Sequence, residues 1–322
     1  MPLIIVAPPV PVPPPRVWPK VAVPPGKRLV WISPDGEEFA LSDGDSYTSV
    51  TGRAGFGRVV PDLVTEATAP GAARLADYRD SPRLMKVPLI VSGGDQDAYL
   101  AAHRALVAST RHRRPGRVAM GRIRVELPDG TWRHIGCVYH GGLDPLEDIL
   151  DDLMWARQEH QALEFWAPEP HFEGPEISLS WRLALDPVPF YPLYPLRLKA
   201  SQVGGSATIL SPGDAPSYPV WRVTGPGTPV ITNVTTDQSW AFSEPVPEGV
   251  TVTVDCRPPS VAPQSGLSAR DDVGGDWWDR FAGWPQLWDI PPGQTLLSAQ
   301  MIGATPDTRL SVSFAPRYLA GW

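Results

Sequence analysis

Alternation of apolar and polar positions, rather than a helical period, dominates this chain. Ile123, Val125 and Leu127 alternate with Arg122, Arg124 and Glu126. Pro128-Asp129-Gly130 then turns the chain, and Trp132 to Tyr139 returns, which predicts a β-hairpin. Val250, Val252 and Val254 alternate with Thr251, Thr253 and Asp255, and Leu310, Val312 and Phe314 alternate with Ser311 and Ser313. A period of two places one set on a buried face and the other in water. "RLVWISPDGEEFAL" reads as strand, turn and strand around Pro34-Asp35-Gly36. "KVPLIVSG", Lys86 to Gly93, is a compact apolar strand, and Ser178 to Leu185 is another. Gly52, Gly55 and Gly57 in "TGRAGFGRVVP" mark a tight loop or a close backbone approach.

Helical spacing occurs twice. Tyr99, Ala102 and Leu106 share one face of a helix predicted over Gln96 to Ser109, with Asp95 as its cap and Pro115-Gly116 beyond its end. In "DPLEDILDDLMW", Asp144 suits a cap, Pro145 suits the first helical position, and Leu146, Ile149, Leu150 and Leu153 have helical spacing. A short helix is predicted there.

Proline sets the organisation. Met1 to Pro25 contains "PPVPVPPPRVWPKVAVPP", a tract that favours extended polyproline II and cannot build a core. It reads as a loose arm, or as an arm lying along a neighbouring subunit or partner groove. Pro187 to Pro195 reads as a border. The expected division is an arm over 1–27, a domain over 28–176, a linker with first strands over 177–200, and a second domain over 201–322. Short strands with repeated turn signals make that second domain a sandwich or jelly roll.

Composition narrows the classes. The 40 prolines and 29 glycines among 322 residues shift the expectation toward an all-β architecture. A net charge of −7 disfavours a general nucleic-acid binder. Cys137 and Cys256 are the only cysteines and lie far apart, so neither a disulfide framework nor zinc-ligand spacing is available. That cysteine usage fits synthesis in a reducing cytoplasm, and no secretory or membrane segment is visible.

Candidate chemistry is sparse. On a strand, His134 and His140 of "HIGCVYH" face one way and Cys137 the other, which opposes a metal site. Acidic residues cluster at Asp43/Asp45, Asp144 to Asp152 and Asp271 to Asp279. They read as solvated loops and a helix face, and no nucleophile elbow, zinc-protease motif or phosphate loop occurs. The run Arg111, Arg113, Arg114, Arg117, Arg122 and Arg124 suits a solvated helix end or contact with an acidic partner. Trp277, Trp278, Trp284 and Trp288 crowd one segment. They suit core or interface packing, with Trp277 and Trp278 as candidates to stack on sugar rings.

Taken in order, "VWISPDGEEFALSDG", "VPLIVSGGDQDAYLAAHRALVASTRHRRPGRVAMGRIRVELPDGTWRHIGCVYHGG" and "LEFWAPEPHFEG" resemble the N-terminal domain of distal tail proteins of long-tailed bacteriophages. "GDAPSYPVWRVTGPGTPVITNVTTDQSWAF", "VPEGVTVTVDCRP" and "WPQLWDIPPGQTLLSAQMIGATPDTRLSVSFAPRY" are similar to that family's C-terminal domain. The composition resembles phages of actinobacterial hosts. The resemblance implies a mainly β protein: a ring-forming N-terminal β-sandwich with one packed helix, then an outward galectin-like β-sandwich. It implies a homo-hexameric ring in the virion's tail tip or baseplate. Its partners would be the tail tube, the hub or tail-associated protein, the tape measure protein, and receptor-binding or side-fibre proteins. It implies no catalytic residue, metal, cofactor, membrane or nucleic-acid site. The long proline arm and "EDILDDLMWARQEHQ" depart from the family pattern. Two rivals remain open: a carbohydrate-binding module using Trp277 or Trp278, and a cell-wall glycosidase or esterase.

Overall fold

The computed structural model describes residues 27–42, 46–69, 71–114, 117–143, 158–182, 189–191, 194–197, 202–258 and 266–322. The expected helix over Asp144 to Trp155, the residues Asp43 and Asp45 and the proline arm lie outside the described residues.

The first body is one antiparallel sheet folded onto itself. β1 (Arg28–Ile32), β2 (Glu38–Ala40) and β3 (Tyr47–Ser49) open it. β4 (Pro61–Ala69) and β5 (Ala72–Asp80) pair only with each other. β6 (Arg83–Ser92) leads into helix α1 (Gln96–Ser109), and a two-rung ladder of β7 (Arg113–Arg114) and β8 (Arg117–Val118) follows. β9 (Gly121–Glu126), β10 (Trp132–Gly141), β11 (Gln158–Ala167) and β12 (Phe172–Glu173) complete it. The order is β2-β1-β9-β10-β11-β6-β3, with β12 beside β10. Trp132 to Cys137 pair with β9, whereas β10 continues onto β11 from Val138 across a register shift at Tyr139/Gly141. That irregularity turns the corner of a sandwich, because a strand that changes layers needs a bulge or bend. Leu29, Trp31, Ile123, Val125 and Ile135 of one layer meet Met85, Val87, Leu89, Leu163 and Phe165 of the other. The Trp31 and Phe165 rings lie 4.6 Å apart.

Helix α1 starts where the sequence places it: the Asp95 carboxylate accepts a bond from the Ala98 amide at 2.7 Å. Tyr99 and Leu106 enter the core, and Trp31 Nε1 donates to Ser109 Oγ at 3.0 Å. Gly55 shows why that loop carries glycine. At φ +80°, a Cβ there would stand 2.1 Å from the Leu84 carbonyl oxygen.

The second body has two layers. β13 (Ile177–Arg182) begins it; β14 (Pro189–Tyr191) and β15 (Tyr194–Arg197) form a separate ribbon, and β16 (Gln202–Ser211) follows. Next come β17 (Val220–Thr224), β18 (Thr228–Asn233), β19 (Gln238–Ala241), β20 (Thr251–Asp255) and β21 (Ser268–Asp271). β22 (Gly293–Ile302), β23 (Arg309–Phe314) and β24 (Arg317–Tyr318) close the chain. One layer runs β13-β23-β17-β20-β21 and the other β16-β22-β18-β19. Trp221, Val252, Val254, Leu310 and Val312 face Ile231, Trp240, Leu297, Ala299 and Met301 across the core. Burying one such side chain stabilises by about 1.5–3 kcal/mol.

The structure thus has the mainly β fold expected, with β-sandwich layers and one helix packed on the first body. Two strands add detail to the sequence division. Ile177–Arg182, in the stretch read as linker with first strands, pairs along its whole length with β23 and is an edge strand of the second body. β24, assigned to the second domain, pairs with β12 of the first. Within the proline-rich border, Pro189–Tyr191 and Tyr194–Arg197 pair rather than run as plain linker.

Candidate interaction surfaces

The β4–β5 ribbon is the least covered part of the described chain. It pairs from Pro61 opposite Asp80 to Ala69 opposite Ala72, with register shifts at Val64/Thr65 and Ala67/Ala69. All of β4 and all of β5 except Asp80 are exposed. Apolar side chains share that exposure: Val60 at 76%, Leu63 at 56% and, opposite it, Tyr78 at 63%. The exposed pair Arg74–Glu66, at 2.8 Å, adds little stability. An isolated two-stranded ribbon is marginal in water, and its open edges invite pairing.

The junction between the bodies is the opposite case. Arg317 on β24 is 4% exposed. Its guanidinium donates to the Pro216 carbonyl and to the Glu169 carboxylate, and it lies 2.9 Å from His171 Nδ1. Its face covers the Tyr218 ring, and its carbonyl accepts the amides of Asp214 and Ala215. His171 Nε2 sits 2.9 Å from Asp80 Oδ2. One side chain therefore ties 169–171 of the first body to 214–218 of the second. Arg83 makes a second tie, donating to the carbonyls of Pro170, Gly55, Gly57 and Leu319. Burial pushes its pKa down to about 10, against the opposing pull of Asp80. Beyond β24 the chain stays on the first body: Gly321 N donates to Phe56 O, and Trp322 stacks on Phe56 at 5.8 Å.

Beside this junction lies a cleft of about 310 Å³, lined by Trp132, His134, Glu173, Glu176, Tyr218 and Arg257 among others. His134 Nε2 stands 3.4 Å from Glu173 Oε2. This hydrogen bond, opposed by burial, holds the Glu173 carboxyl below its usual range. Arg257 grips the buried Asp255 through both carboxylate oxygens.

The candidate residues are scattered rather than convergent. Trp277 is 2% exposed, packs 5.5 Å from Phe242 and carries the Arg280 guanidinium 4.2 Å over its ring. It has no free face for a sugar, which corrects its candidacy as a platform. Trp278 is half-buried, edge-on to Phe281. Trp288 is buried, whereas Trp284 is 86% exposed. The arginine run divides. Arg111 is exposed just past the helix cap Thr110, and the backbones of Arg113, Arg114 and Arg117 follow in the β7–β8 ladder. Arg122 and Arg124 belong to β9, where Arg124 forks onto Glu38 at 2.8 and 2.9 Å. Cys137 is buried in the core while His134 sits on the outer face of β10. Among the described residues no three His, Cys, Asp or Glu side chains are grouped to hold a metal ion. Among them, too, no helix is long and apolar enough to cross a membrane. Sequence reasoning missed the ribbon and the Arg317 clasp. The exposed apolar pattern around Pro70-Gly71 was the signal for the first; the second gives none, because its side-chain hydrogen-bond partners are 101 to 148 residues away.

Two tandem antiparallel β-sandwiches, tied by the returning chain end and carrying an uncovered ribbon, define a two-body β-sandwich protein. No protein-family model and no curated protein matches the chain. Among solved structures, it is similar to the SPP1 Dit protein, a paradigm of the hub adsorption apparatus in phages that infect Gram-positive hosts. That likeness has a TM-score of 0.59 at 13% identity, covering 90% of this chain and 98% of the other. Two structures of the phage P2 baseplate in its activated conformation, with Ca and with Sr, score 0.48 and 0.46 at 8% and 7% identity. Each covers 89% of this chain and 97% of the other.

Proposed function

We propose that this chain is a structural virion protein of a long-tailed phage tail tip or baseplate, a distal tail protein rather than an enzyme. In this reading six copies close into a ring that joins the tail tube to the hub, the tape measure protein and the adhesion apparatus. The second, galectin-like sandwich projects outward and carries receptor-binding or side-fibre proteins. The observation that carries the proposal is the likeness to a hub protein over nearly the full length of both chains, a likeness of fold. The β4–β5 ribbon supports it, because a surface that is apolar and uncovered in one copy is what a closed ring would bury. The exposed Arg111 and the adjoining ladder of Arg113, Arg114 and Arg117 would meet an acidic neighbour in the tail.

Negative-stain electron microscopy of the concentrated protein, alone and with its tail tube protein, tests this. Six-fold rings with outward knobs are expected, and they should disappear with Leu63→Asp while the monomer stays folded. Two-lobed monomers in both preparations would overturn the ring. Arg113→Glu with Arg114→Glu should weaken assembly; normal assembly would remove the basic hairpin from the interface. The sugar-binding reading retains one specific observation, the free ring of Trp284. Glycan-array binding lost on Trp284→Ala would favour it.

A further inference from the structure

We infer that the cleft beside the junction receives the chain's own proline-rich segment, with Pro11 to Arg16 lying across Trp132. This inference stands independently of the tail-protein reading. Residues 1–26 lie outside the described residues, so the case rests on the cleft, on the sequence of the segment and on where the chain enters the first sheet.

The cleft has the chemistry that holds polyproline. Trp132 from the first body and Tyr218 from the second line it. Aromatic-lined grooves take polyproline II because that conformation is already extended and loses little entropy on docking. The charge is set by elimination. Arg257 is committed to Asp255, and Arg317 to Glu169. Glu173 pairs with His134, while Glu176 is exposed and has no ion pair among the described residues. The remaining unmatched charge on the lining is therefore acidic.

The segment matches it. Pro11-Val12-Pro13-Pro14-Pro15-Arg16 places a cation directly after the proline run. Residues 1–26 contain Arg16 and Lys20 and no acidic residue, in a chain whose net charge is −7. Arg16 can pair with Glu176 while the prolines lie on Trp132.

The entry point matches as well. Arg28, the first residue of β1, is opposite Glu126 of β9, and Glu126 is opposite Trp132 of β10. Leu29, Trp31, Val125 and Ile135 point into the core. By alternation, Arg28, Glu126 and Trp132 share the outer face. Two strand spacings, about 10 Å, separate Arg28 from Trp132. Arg16 precedes Lys27 by eleven residues, which span up to about 34 Å as polyproline II. Reach is ample, and no neighbouring copy is required.

Limited trypsin digestion of the full chain tests the inference through cleavage at Arg16–Val17. A free peptide of residues 7–21 gives the unprotected rate. Protection tracks the fraction of time the segment is docked. Cleavage in the folded protein should be at least about tenfold slower than in the peptide, independent of protein concentration. Trp132→Ala should restore the peptide rate, and Glu176→Lys, an exposed change that leaves the fold intact, should raise cleavage several-fold. A photo-crosslinker in place of Val12 should join intramolecularly to the segments around Trp132, Glu173 or Tyr218. Peptide-like cleavage in the unaltered protein, or protection that neither substitution changes, would overturn the inference. So would crosslinks mapping elsewhere. Protection that grows with protein concentration would assign the cleft to a neighbour's segment and overturn the intramolecular form.

Discussion

The first body contains two long antiparallel hairpins with opposite fates. β9 and β10 bury Ile123, Val125, Ile135 and Cys137 on one face and leave Arg122, Arg124 and His134 on the other. β4 and β5 pair along their whole length, across two register shifts, yet no residue of β4 is buried. Backbone pairing is thus common to both, and what separates them is whether a second layer covers one face. The first hairpin is held by the core. The second holds its shape without one and leaves Leu63 and Tyr78 in water, which is why it reads as a surface awaiting a partner.

Four substitutions would break or sharpen that contrast. The largest effect should come from Val125→Asp, which places an unpaired carboxylate between the layers and should cost about 4–5 kcal/mol. Urea unfolding would measure it, and a thiol reagent should report the same event. Burial pushes the thiol of Cys137 far above its ordinary pKa, so it should be unreactive until the layers open. Gly121→Ala should come next. A Cβ there would lie 2.2 Å from the Trp31 ring and 2.7 Å from the Ile32 carbonyl oxygen. Overpacking of this kind costs about 1–3 kcal/mol, read from the denaturation midpoint.

A smaller effect belongs to the outer face of β10. The Glu173 carboxyl is held below its ordinary value of 4.5, chiefly by its bond to His134. A depressed carboxyl contributes stability above its unfolded pKa and loses it as pH falls through the folded value. Glu173→Gln should therefore lower Tm at neutral pH, and the difference from the unaltered protein should shrink as pH drops below 4.5. A difference constant with pH would deny the carboxylate this role. The smallest change in stability, within about 0.5 kcal/mol, should come from Leu63→Asp on the ribbon, where the same chemistry that ruins β9 meets only water. Its effect should appear instead in sedimentation velocity, as loss of assembly. A large loss of stability would mean that the ribbon is already packed within one copy.

Local rules made much of the fold legible. Asp95 announced the start of α1, and alternation located Gly121–Glu126, Thr251–Asp255 and Arg309–Phe314 close to their observed bounds. The ribbon was missed because alternation becomes visible only where a face is buried, and neither face of β4 is. The surfaces were less legible. Trp277 and Trp284 are seven residues apart in one aromatic segment, yet one is covered by Phe242 and Arg280 while the other stands free. The arginine run looked continuous but is divided between a turn after α1 and a strand whose Arg124 is taken by Glu38. Arg317 gave no local sign at all, since its partners come from both bodies. Sequence spacing reports neighbours along the chain, and each of these outcomes depends on neighbours across it.

The return of Leu319 to Arg83 also has a consequence in time. The two are separated by 236 positions, and a ribosome adds roughly 5–20 residues per second. The Arg83 guanidinium therefore waits roughly ten to fifty seconds for its last carbonyl. Most of that interval belongs to the second sandwich, whose strand β23, set between β13 and β17, ends at Phe314 just before Leu319, so the first body is latched only as the second is completed.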